Sequence, residues 1–272
     1  MGHPPIDSLE FAEPVVVESR DDALWYHSFT WPDGSETAGT WDYRGKEDDF
    51  LGRQDYSGKT VLELGPASGY LTKEMEARGA SVTCIETADD EPWEAVPRKD
   101  KKVDWFLHRR RRWTVPLRAS WWYSQRQFGG HARVAYTGVK VLPGLRGEVR
   151  FDIAFISAIL QHFRHPIDVL YDVAELADLI VVTEQAFARL EETGLAKFEP
   201  SPDNEVFGTW WHLSSGIVAD VLGTALFERV DHYTQVYERG DTHGDPNRAV
   251  GPSPPGSRRF YTSVFRSRRA DS

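Results

Sequence analysis

The chain has 272 residues, of which 40% are hydrophobic, enough for a full core, and this excludes general disorder. Its 32 Lys and Arg residues against 42 Asp and Glu leave a net charge of −10, which disfavours broad nucleic-acid binding because such binding depends on neutralising phosphates. The single cysteine, Cys84, forms no internal disulfide, and neither a transmembrane-length apolar run nor a basic signal region occurs, so we expect a cytoplasmic protein.

The first 50 residues divide into an arm and an aromatic segment. Residues 1–20 show little periodicity and predict a loosely packed arm. In the aromatic segment, Pro32-Asp33-Gly34 is a turn signal, because proline presets φ and glycine accepts a positive φ. The flanks of this turn, residues 25–31 and 37–43, are candidates for a hairpin.

Residues 61–72 organise the rest of the chain. The apolar run at 61–64 predicts a strand, a loop from Gly65 to Gly69 follows, and a helix then begins. A helix N-terminus offers unpaired N–H groups and a partial positive charge, so an anion can bind there. A second strand, residues 81–85, ends at Glu86, about 20 residues after Gly65, where an acid grips ribose hydroxyls in nucleotide-binding sheets.

The loop lacks two common nucleotide fingerprints. From Gly65 it reads Gly-Pro-Ala-Ser-Gly-Tyr, without the second and third glycines of G-x-G-x-x-G, and no Gly-Lys-Ser/Thr of a P-loop follows. An ordinary strand-to-helix turn is the alternative. Loop, spacing and acid together favour a cofactor site.

Residues 94–117 fit the strand-helix alternation poorly and predict an irregular insertion or a displaced helix. Residues 98–118 contain nine Lys and Arg against Asp100 and Asp104. A solvated basic face is one interpretation, and a local patch for an anionic substrate is the other. Residues 120–128 are typical of the helix before a third strand at residues 133–136.

The second half of the chain alternates strands and helices, with a long excursion over residues 185–213. Helices are predicted from Pro166 and over residues 214–222, where Ser214 is the N-cap. Further strands are predicted over residues 151–156, 179–183, 227–233 and 259–265. The last of these is expected to run antiparallel and to close the sheet, after a Gly/Pro-rich loop that we expect to be mobile.

The pattern Glu63-x-Gly65-x-x-x-Gly69 resembles the first motif of class I S-adenosylmethionine (SAM) methyltransferases. The segments Trp25-Tyr26-His27-Ser28, Pro32-Asp33-Gly34 and Gly39-Thr40-Trp41-Asp42 look like a subgroup that includes the enzyme carboxymethylating hydroxyuridine at the tRNA wobble position and natural-product relatives. The resemblance implies an α/β, Rossmann-like sheet, mostly parallel with one antiparallel strand. It also implies an arm and active-site lid over residues 1–50 and a SAM-binding domain over residues 51–272, with insertions near 94–117 and 185–213.

In this family the loop faces the methionine part of SAM, and the acid after the second strand holds the ribose. Relatives often carry an acid for the adenine amine after the third strand, where this chain has Thr137, so backbone groups or Thr137 are expected to replace that contact. The cofactor-binding residues that the resemblance implies are Glu63, Gly65, Pro66, Ala67, Ser68, Gly69, Tyr70, Glu86, Thr87, Thr137, Gly138, Val139, Ser157 and Ala158.

Candidates for catalysis follow from position and chemistry. His162 comes after the fourth strand, whose carboxyl end faces the ligand crevice, and its pKa range suits a general base. The alternative is a structural histidine that fixes the loop. Tyr26 and His27 carry polar tips and are the other catalytic candidates. The candidates for substrate binding, each of which could instead serve packing or solvation, are Trp41, Arg44, Glu184, Trp210 and Trp211.

Three functions are compatible with the sequence. The first is base-assisted, in-line methyl transfer from SAM to a small-molecule acceptor, for example a natural product. The second is modification of the tRNA wobble uridine, with residues 98–118 on the RNA and either SAM or a carboxylated derivative as donor. The third is a non-catalytic SAM-binding or scaffold protein. The histidines are scattered, and we expect no metal.

Overall fold

The structure is a computed structural model, and it describes residues 6, 8–88, 94–99, 103–204, 206–239 and 256–268. Its helices are α1 (Glu47–Phe50), α2 (Tyr70–Ala77), α3 (Val103–Phe128), α4 (Pro166–Leu176), α5 (Ala188–Thr193) and α6 (Ser215–Thr224). Its strands are β1 (Phe29–Thr30), β2 (Glu36–Thr37), β3 (Trp41–Asp42), β4 (Thr60–Leu64), β5 (Ser81–Glu86), β6 (Arg133–Tyr136), β7 (Phe151–Ser157), β8 (Ala177–Gln185), β9 (Ala196–Phe198), β10 (Trp211–Leu213), β11 (Phe227–Arg239) and β12 (Gly256–Ser267). Short 3-10 turns cover Arg20–Asp22, Val139–Leu145 and Leu160–His162.

An eight-stranded sheet forms the centre of the described structure, in the order β3-β11-β12-β8-β7-β4-β5-β6. The strands from β8 to β6 pair in parallel. β12 lies antiparallel between β8 and β11, and the two-residue β3 adds an antiparallel edge to β11. The predicted Rossmann-like sheet with its antiparallel closing strand is confirmed.

Side chains alternate between two hydrophobic cores on opposite faces of the sheet. In β7, Ile153 and Phe155 join one core, while Ala154 and Ile156 join the other. Such near-continuous apolar strands are typical of parallel sheets covered on both faces. Helices α4 and α6 pack on the second core, and α2, α3 and the N-terminal aromatic segment pack on the first.

Residues 103–117 of the segment predicted as an irregular insertion or displaced helix belong to one continuous helix, whereas residues 94–99 are irregular. α3 spans 26 residues and includes the residues 120–128 that the sequence assigned to a separate helix. Pro116 lies inside it, and the carbonyl of Pro116 accepts a hydrogen bond from the N–H of Leu24 at 2.9 Å. The first half of α3 lacks a regular apolar period, so its continuity is not visible in the sequence.

The aromatic segment forms a shorter hairpin than predicted. Only β1 and β2 pair around the turn. Trp41 continues instead into β3 and pairs with Arg239 of β11. Trp25 and Trp31 are buried and pack edge to face at 5.1 Å, so this segment adds a layer to the core.

Other expectations fall partly outside the described residues. Residues 240–255 of the Gly/Pro-rich loop lie outside the described part, as do residues 89–93. Among the described residues, there is no helix that combines the length and the apolar character of a membrane crossing.

Candidate active site

A cavity of about 550 Å³ opens at the carboxyl ends of β4, β5, β6 and β7. Parallel α/β sheets bind ligands at this edge, and the volume is typical of small-molecule sites. The predicted residues that line the cavity are Tyr26, His27, Glu63, Gly65, Pro66, Ala67, Glu86, Thr87, Thr137, Gly138, Val139, Ser157, Ala158 and His162. Five separate stretches of sequence therefore converge on one chamber.

The loop after β4 turns through three residues with positive φ, namely Gly65 (72°), Ala67 (50°) and Gly69 (80°). The N–H of Gly69 donates to the carbonyl of Pro66 at 2.9 Å and closes the turn. A Cβ on Gly65 would lie 2.5 Å from Ile159 Cδ1, and one on Gly69 would lie 2.9 Å from Trp121 Cδ1. Both glycines are thus required by backbone conformation and by packing against neighbouring elements.

Glu86 ends β5 at the cavity wall. Its Oε1 accepts hydrogen bonds from the N–H and the hydroxyl of Thr87, at 2.7 and 3.0 Å. Across the cavity edge, the N–H of Gly138 donates to the carbonyl of Glu86 at 2.8 Å. The acid is held at the strand end, where the ribose is expected to bind.

Glu63 forms part of the buried floor behind the loop. Its Oε2 accepts hydrogen bonds from Thr72 Oγ1 at 2.6 Å and from Cys84 Sγ at 3.4 Å. Burial raises the pKa of Glu63 to about 7, against the effect of these two donors.

His162 is buried on the short turn after β7 and lines the cavity. Its Nδ1 contacts the carbonyl oxygen of Gly208, and because a carbonyl only accepts, Nδ1 carries the proton. Nε2 is then the basic nitrogen. Burial lowers the pKa of His162 to about 3, an effect that the charge of Arg110 reinforces, so the ring is neutral at physiological pH.

His27 has the opposite arrangement. The backbone N–H of His27 donates to Ser68 Oγ at 3.0 Å, and the ring nitrogen Nδ1 lies 3.1 Å from the same oxygen. Ser68 is fully buried, and among the described residues Nδ1 is the acceptor in reach of its hydroxyl proton. This favours the tautomer with the proton on Nε2, which makes His27 a donor towards the cavity. Burial also lowers the pKa of His27 to about 3.

Glu184 does not line the cavity but holds the turn that carries His162. Its buried carboxylate accepts hydrogen bonds from the N–H groups of Ile159 and Leu160, at 2.9 and 2.8 Å. Burial raises the pKa of Glu184 to about 7, although both hydrogen bonds oppose this.

Other predicted residues do not line the cavity. Gly69 and Tyr70 begin α2, and the Tyr70 hydroxyl donates to Glu47 at 2.5 Å. Arg44 is engaged by the carboxylates of Asp42 and Glu36, at 2.7 and 2.8 Å. The ion pair of Arg44 with Glu36 forms across the hairpin, because Glu36 lies on β2.

Three predicted tryptophans support residues near the cavity from behind. Trp41 exchanges backbone hydrogen bonds with the segment that carries Tyr26. Trp210 Nε1 donates to the carbonyl of Glu94, and Trp211 Nε1 donates to the carbonyl of Arg164 at 3.1 Å. Glu94 and Arg164 both line the cavity.

Fifteen lining residues were missed by residue-level prediction, and six of them come from α3. Arg110 is 4% exposed, and its guanidinium lies 4.5 Å from the ring centroid of Trp113. The basic cluster was the sequence signal for this wall. The missed lining residues are Tyr43, Leu71, Glu94, Ala95, Pro97, Val103, Leu107, Arg110, Arg111, Trp113, Leu117, Lys140, Ile159, Phe163 and Arg164.

Solved structures with related folds share little sequence with this chain. The N-terminal domain of EvdMO1, crystallised with SAH and D-fucose, is 16% identical over 92% of this chain and 94% of its own, with a TM-score of 0.50. An O-methyltransferase family protein from Burkholderia thailandensis is 11% identical over 83% of this chain and 56% of its own, also with a TM-score of 0.50. These similarities bear on the fold. No curated protein matches the sequence.

The sheet order and the cavity at its carboxyl edge define a Rossmann-like class I methyltransferase fold. Residues 44–215, more than half of the chain, match the family described as "Methyltransferase domain", and the chain belongs to this family. The protein is a SAM-dependent methyltransferase with S-adenosylmethionine as its cofactor, as the sequence predicted. Family membership therefore favours the enzymatic interpretation over the non-catalytic alternative.

Metal-binding side chains are dispersed. Over the described ranges, His, Cys, Asp and Glu form no group of three or more that could hold a metal ion.

Proposed function

We propose that this protein transfers a methyl group from SAM to a small-molecule acceptor bound in the same cavity. The observation that carries the proposal is the convergence of two kinds of group on one chamber. The SAM loop and Glu86 line it, and so do the polar side chains of His162, His27 and Tyr26. A donor and an acceptor held in one chamber can react in line.

The residues for SAM divide by position. The loop from Gly65 to Gly69 would face the methionine part, and Glu86 would bind the ribose hydroxyls. The backbone of residues 137–139 would contact the adenine in place of the missing acid. The cavity and its donor set fit SAM, since one Glu86 oxygen receives both Thr87 bonds and no described residue is hydrogen-bonded to the other.

His162 is the proposed general base. SAM supplies an electrophilic methyl group, so the protein must orient the acceptor and remove its proton. Nε2 of His162 is unprotonated, and the bond from Nδ1 to Gly208 fixes the ring orientation. His27 and Tyr26 are assigned to orienting the acceptor by hydrogen bonds.

Enclosure favours a small acceptor. The N-terminal segment contributes Tyr26, His27 and Tyr43 to the lining, and α3 contributes a second wall, so we assign residues 1–50 to an arm and lid over the domain of residues 51–272. The EvdMO1 domain, which has a related fold, was crystallised with the small molecule D-fucose.

Modification of tRNA at the wobble uridine is the second candidate. It is favoured by Arg111 and Arg112, which are both exposed on α3 beside the cavity. An RNA ligand would bind more weakly as salt rises, because binding would release counterions from its phosphates. A small acceptor would show a much shallower salt dependence.

The test is calorimetric titration with SAM and SAH, followed by transfer of a labelled methyl group to small molecules and to tRNA. We expect micromolar binding by the wild type and a loss of about tenfold or more in Glu86→Ala. Glu228→Ala, an exposed glutamate on β11, is the matched control and should bind normally. Absence of SAM binding by the wild type would overturn the cofactor assignment, and methylation of tRNA alone would favour the second candidate.

A further inference from the structure

We propose that the acceptor carries a carboxylate or phosphate group, and that Arg110 and Arg111 of α3 bind it. This inference rests on the proposed function, because it concerns the acceptor end of the same cavity. It identifies the chemical class of the acceptor, which the family and the fold leave open.

The first observation is the distribution of charge on the lining. Its carboxylates each have a protein partner: Glu63 accepts from Thr72, Glu86 accepts from Thr87, and Glu94 accepts from the N–H of Arg164. Among the described lining residues, four cations stand against these three carboxylates and come from three segments, and they are Arg110, Arg111, Lys140 and Arg164. A chamber with this balance attracts an anionic ligand.

The second observation is the burial of Arg110. Its side chain is withdrawn from bulk solvent and stacks on Trp113, a surrounding in which a charge-assisted hydrogen bond is stronger than at the surface. A guanidinium presents a rigid fork of donors that matches carboxylate and phosphate oxygens. An arginine in the wall of the cavity therefore has the charge and the donor geometry that suit such an anion.

The third observation links this charge to the proposed base. The positive charge of Arg110 contributes to lowering the pKa of His162, so the two side chains lie within electrostatic reach of each other. Arg110 and His162 both line the cavity, so an acceptor whose anionic group binds Arg110 would lie in the same chamber as the proposed base. Arg111, the next residue along α3, is exposed and borders the same cavity, where it can contact the anion from the entrance.

The experiment uses the full chain loaded with SAH and three matched probes: 4-hydroxybenzoate, 4-hydroxyphenyl phosphate and the uncharged 4-hydroxybenzamide. We expect at least one anion to bind about tenfold or more tightly than the amide, the size of effect that a charge-assisted hydrogen bond gives. The better of the two anions distinguishes a carboxylate acceptor from a phosphate acceptor. Equal binding of acid and amide, or no binding of any probe, would overturn the proposal.

Variants assign the effect to particular residues. Arg111→Gln should remove most of the preference for the anion, and Arg110→Lys should reduce it by keeping the charge without the fork. Arg112→Gln is the matched control, because Arg112 is an exposed neighbour that does not line the cavity, and it should keep the preference. An equal loss in Arg112→Gln would indicate diffuse attraction of the kind an RNA would use, and would count against the proposal.

SAH titration of each variant separates this inference from the proposed function. We expect SAH affinity to stay within about twofold of the wild type in all three variants. Weaker SAH binding in Arg111→Gln would assign the arginine to the carboxylate of the donor itself, and would overturn the inference while leaving the methyltransferase assignment intact. Failure of the wild type to bind SAH would instead contradict the proposed function.

Discussion

Ser68 and His27 join the SAM loop to the N-terminal segment. The hydroxyl oxygen of Ser68 accepts a hydrogen bond from the backbone N–H of His27 at 3.0 Å and lies 3.1 Å from the ring nitrogen Nδ1 of His27. Both residues are buried, so water could not replace these hydrogen bonds if the hydroxyl were removed. The N-terminal segment, which contributes Tyr26 and His27 to the lining, is thereby tied directly to the loop after β4.

Replacing Ser68 by Ala should destabilise the protein by about 1–3 kcal/mol, because two buried polar groups of His27 lose their partner. Chemical unfolding measures this cost. Ser120→Ala is the matched control: this serine is also buried, but its hydroxyl donates only to the carbonyl of Leu117 within α3, and its loss should cost less. Equal costs for the two variants would contradict the role given to Ser68.

Replacing His162 by Gln should lower the rate of methyl transfer by about 100-fold or more, since the basic Nε2 is removed. SAH binding should not change. His165→Gln, an exposed histidine on the neighbouring turn, should keep full activity.

The pH profile provides an independent check on His162. Its pKa is lowered to about 3, so the wild-type rate should show no step near pH 6.5 from this ring. A step near pH 6.5 that disappears in His162→Gln would show that the ring titrates normally, and would contradict the buried arrangement.

Replacing Gly69 by Ala should cost about 1–3 kcal/mol more than replacing Gly34 by Ala. Both glycines have a φ of +80°, so the backbone penalty is shared. A Cβ on Gly34 meets no atom within 4 Å, whereas one on Gly69 meets Trp121 and Ser124. The comparison by urea unfolding isolates the contact between the loop and α3, and equal costs would disprove it.

Replacing Glu184 by Gln should change the pH dependence of stability. Burial raises the pKa of Glu184 from 4.5 to about 7, so the folded protein holds this proton after the unfolded chain has released it. Stability from this group is therefore present below pH 4.5 and is lost as pH rises to 7. Glutamine does not titrate, and its amide oxygen can still accept from Ile159 and Leu160.

The measured quantity is the difference in unfolding free energy between the wild type and Glu184→Gln. It should fall by about 3 kcal/mol between pH 4.5 and pH 7.5. The difference is needed because His27 and His162 act in the opposite direction, losing stability as pH falls below 6.5. Glu192→Gln on the exposed face of α5 controls for the removal of one negative charge. A constant difference would contradict the raised pKa.

The central sheet was predictable because its signals are local. The apolar runs that became β4, β5 and β7, and the capping Ser214 before α6, are each contained within a few residues. Pairing between distant residues left no such signal. Trp41 pairs with Arg239 of β11, which is far from it in sequence. Residues 41–42 therefore form β3 at the edge of the central sheet and do not extend the predicted hairpin.

The candidate site was predicted on one side only. The loop and the strand ends carry motifs whose spacing indicates a ligand, so residues such as Gly65 and Glu86 were found. The opposite wall comes from α3, whose first half is charged and aromatic without a helical period. Arg44 illustrates the same difficulty, because its partners Asp42 and Glu36 meet it only once the hairpin forms.

Pro116 lies near the middle of α3. Proline lacks an N–H, so the carbonyl of Arg112 has no helical donor at this point. The half before it carries Arg110 and Arg111, and the half after it carries Trp121, which packs against the SAM loop. Pro116 is thus a candidate junction for chimeras: under the proposed function, a chimera joined there would replace the part of α3 that carries Arg110 and Arg111 and would keep the contact of Trp121 with the loop after β4.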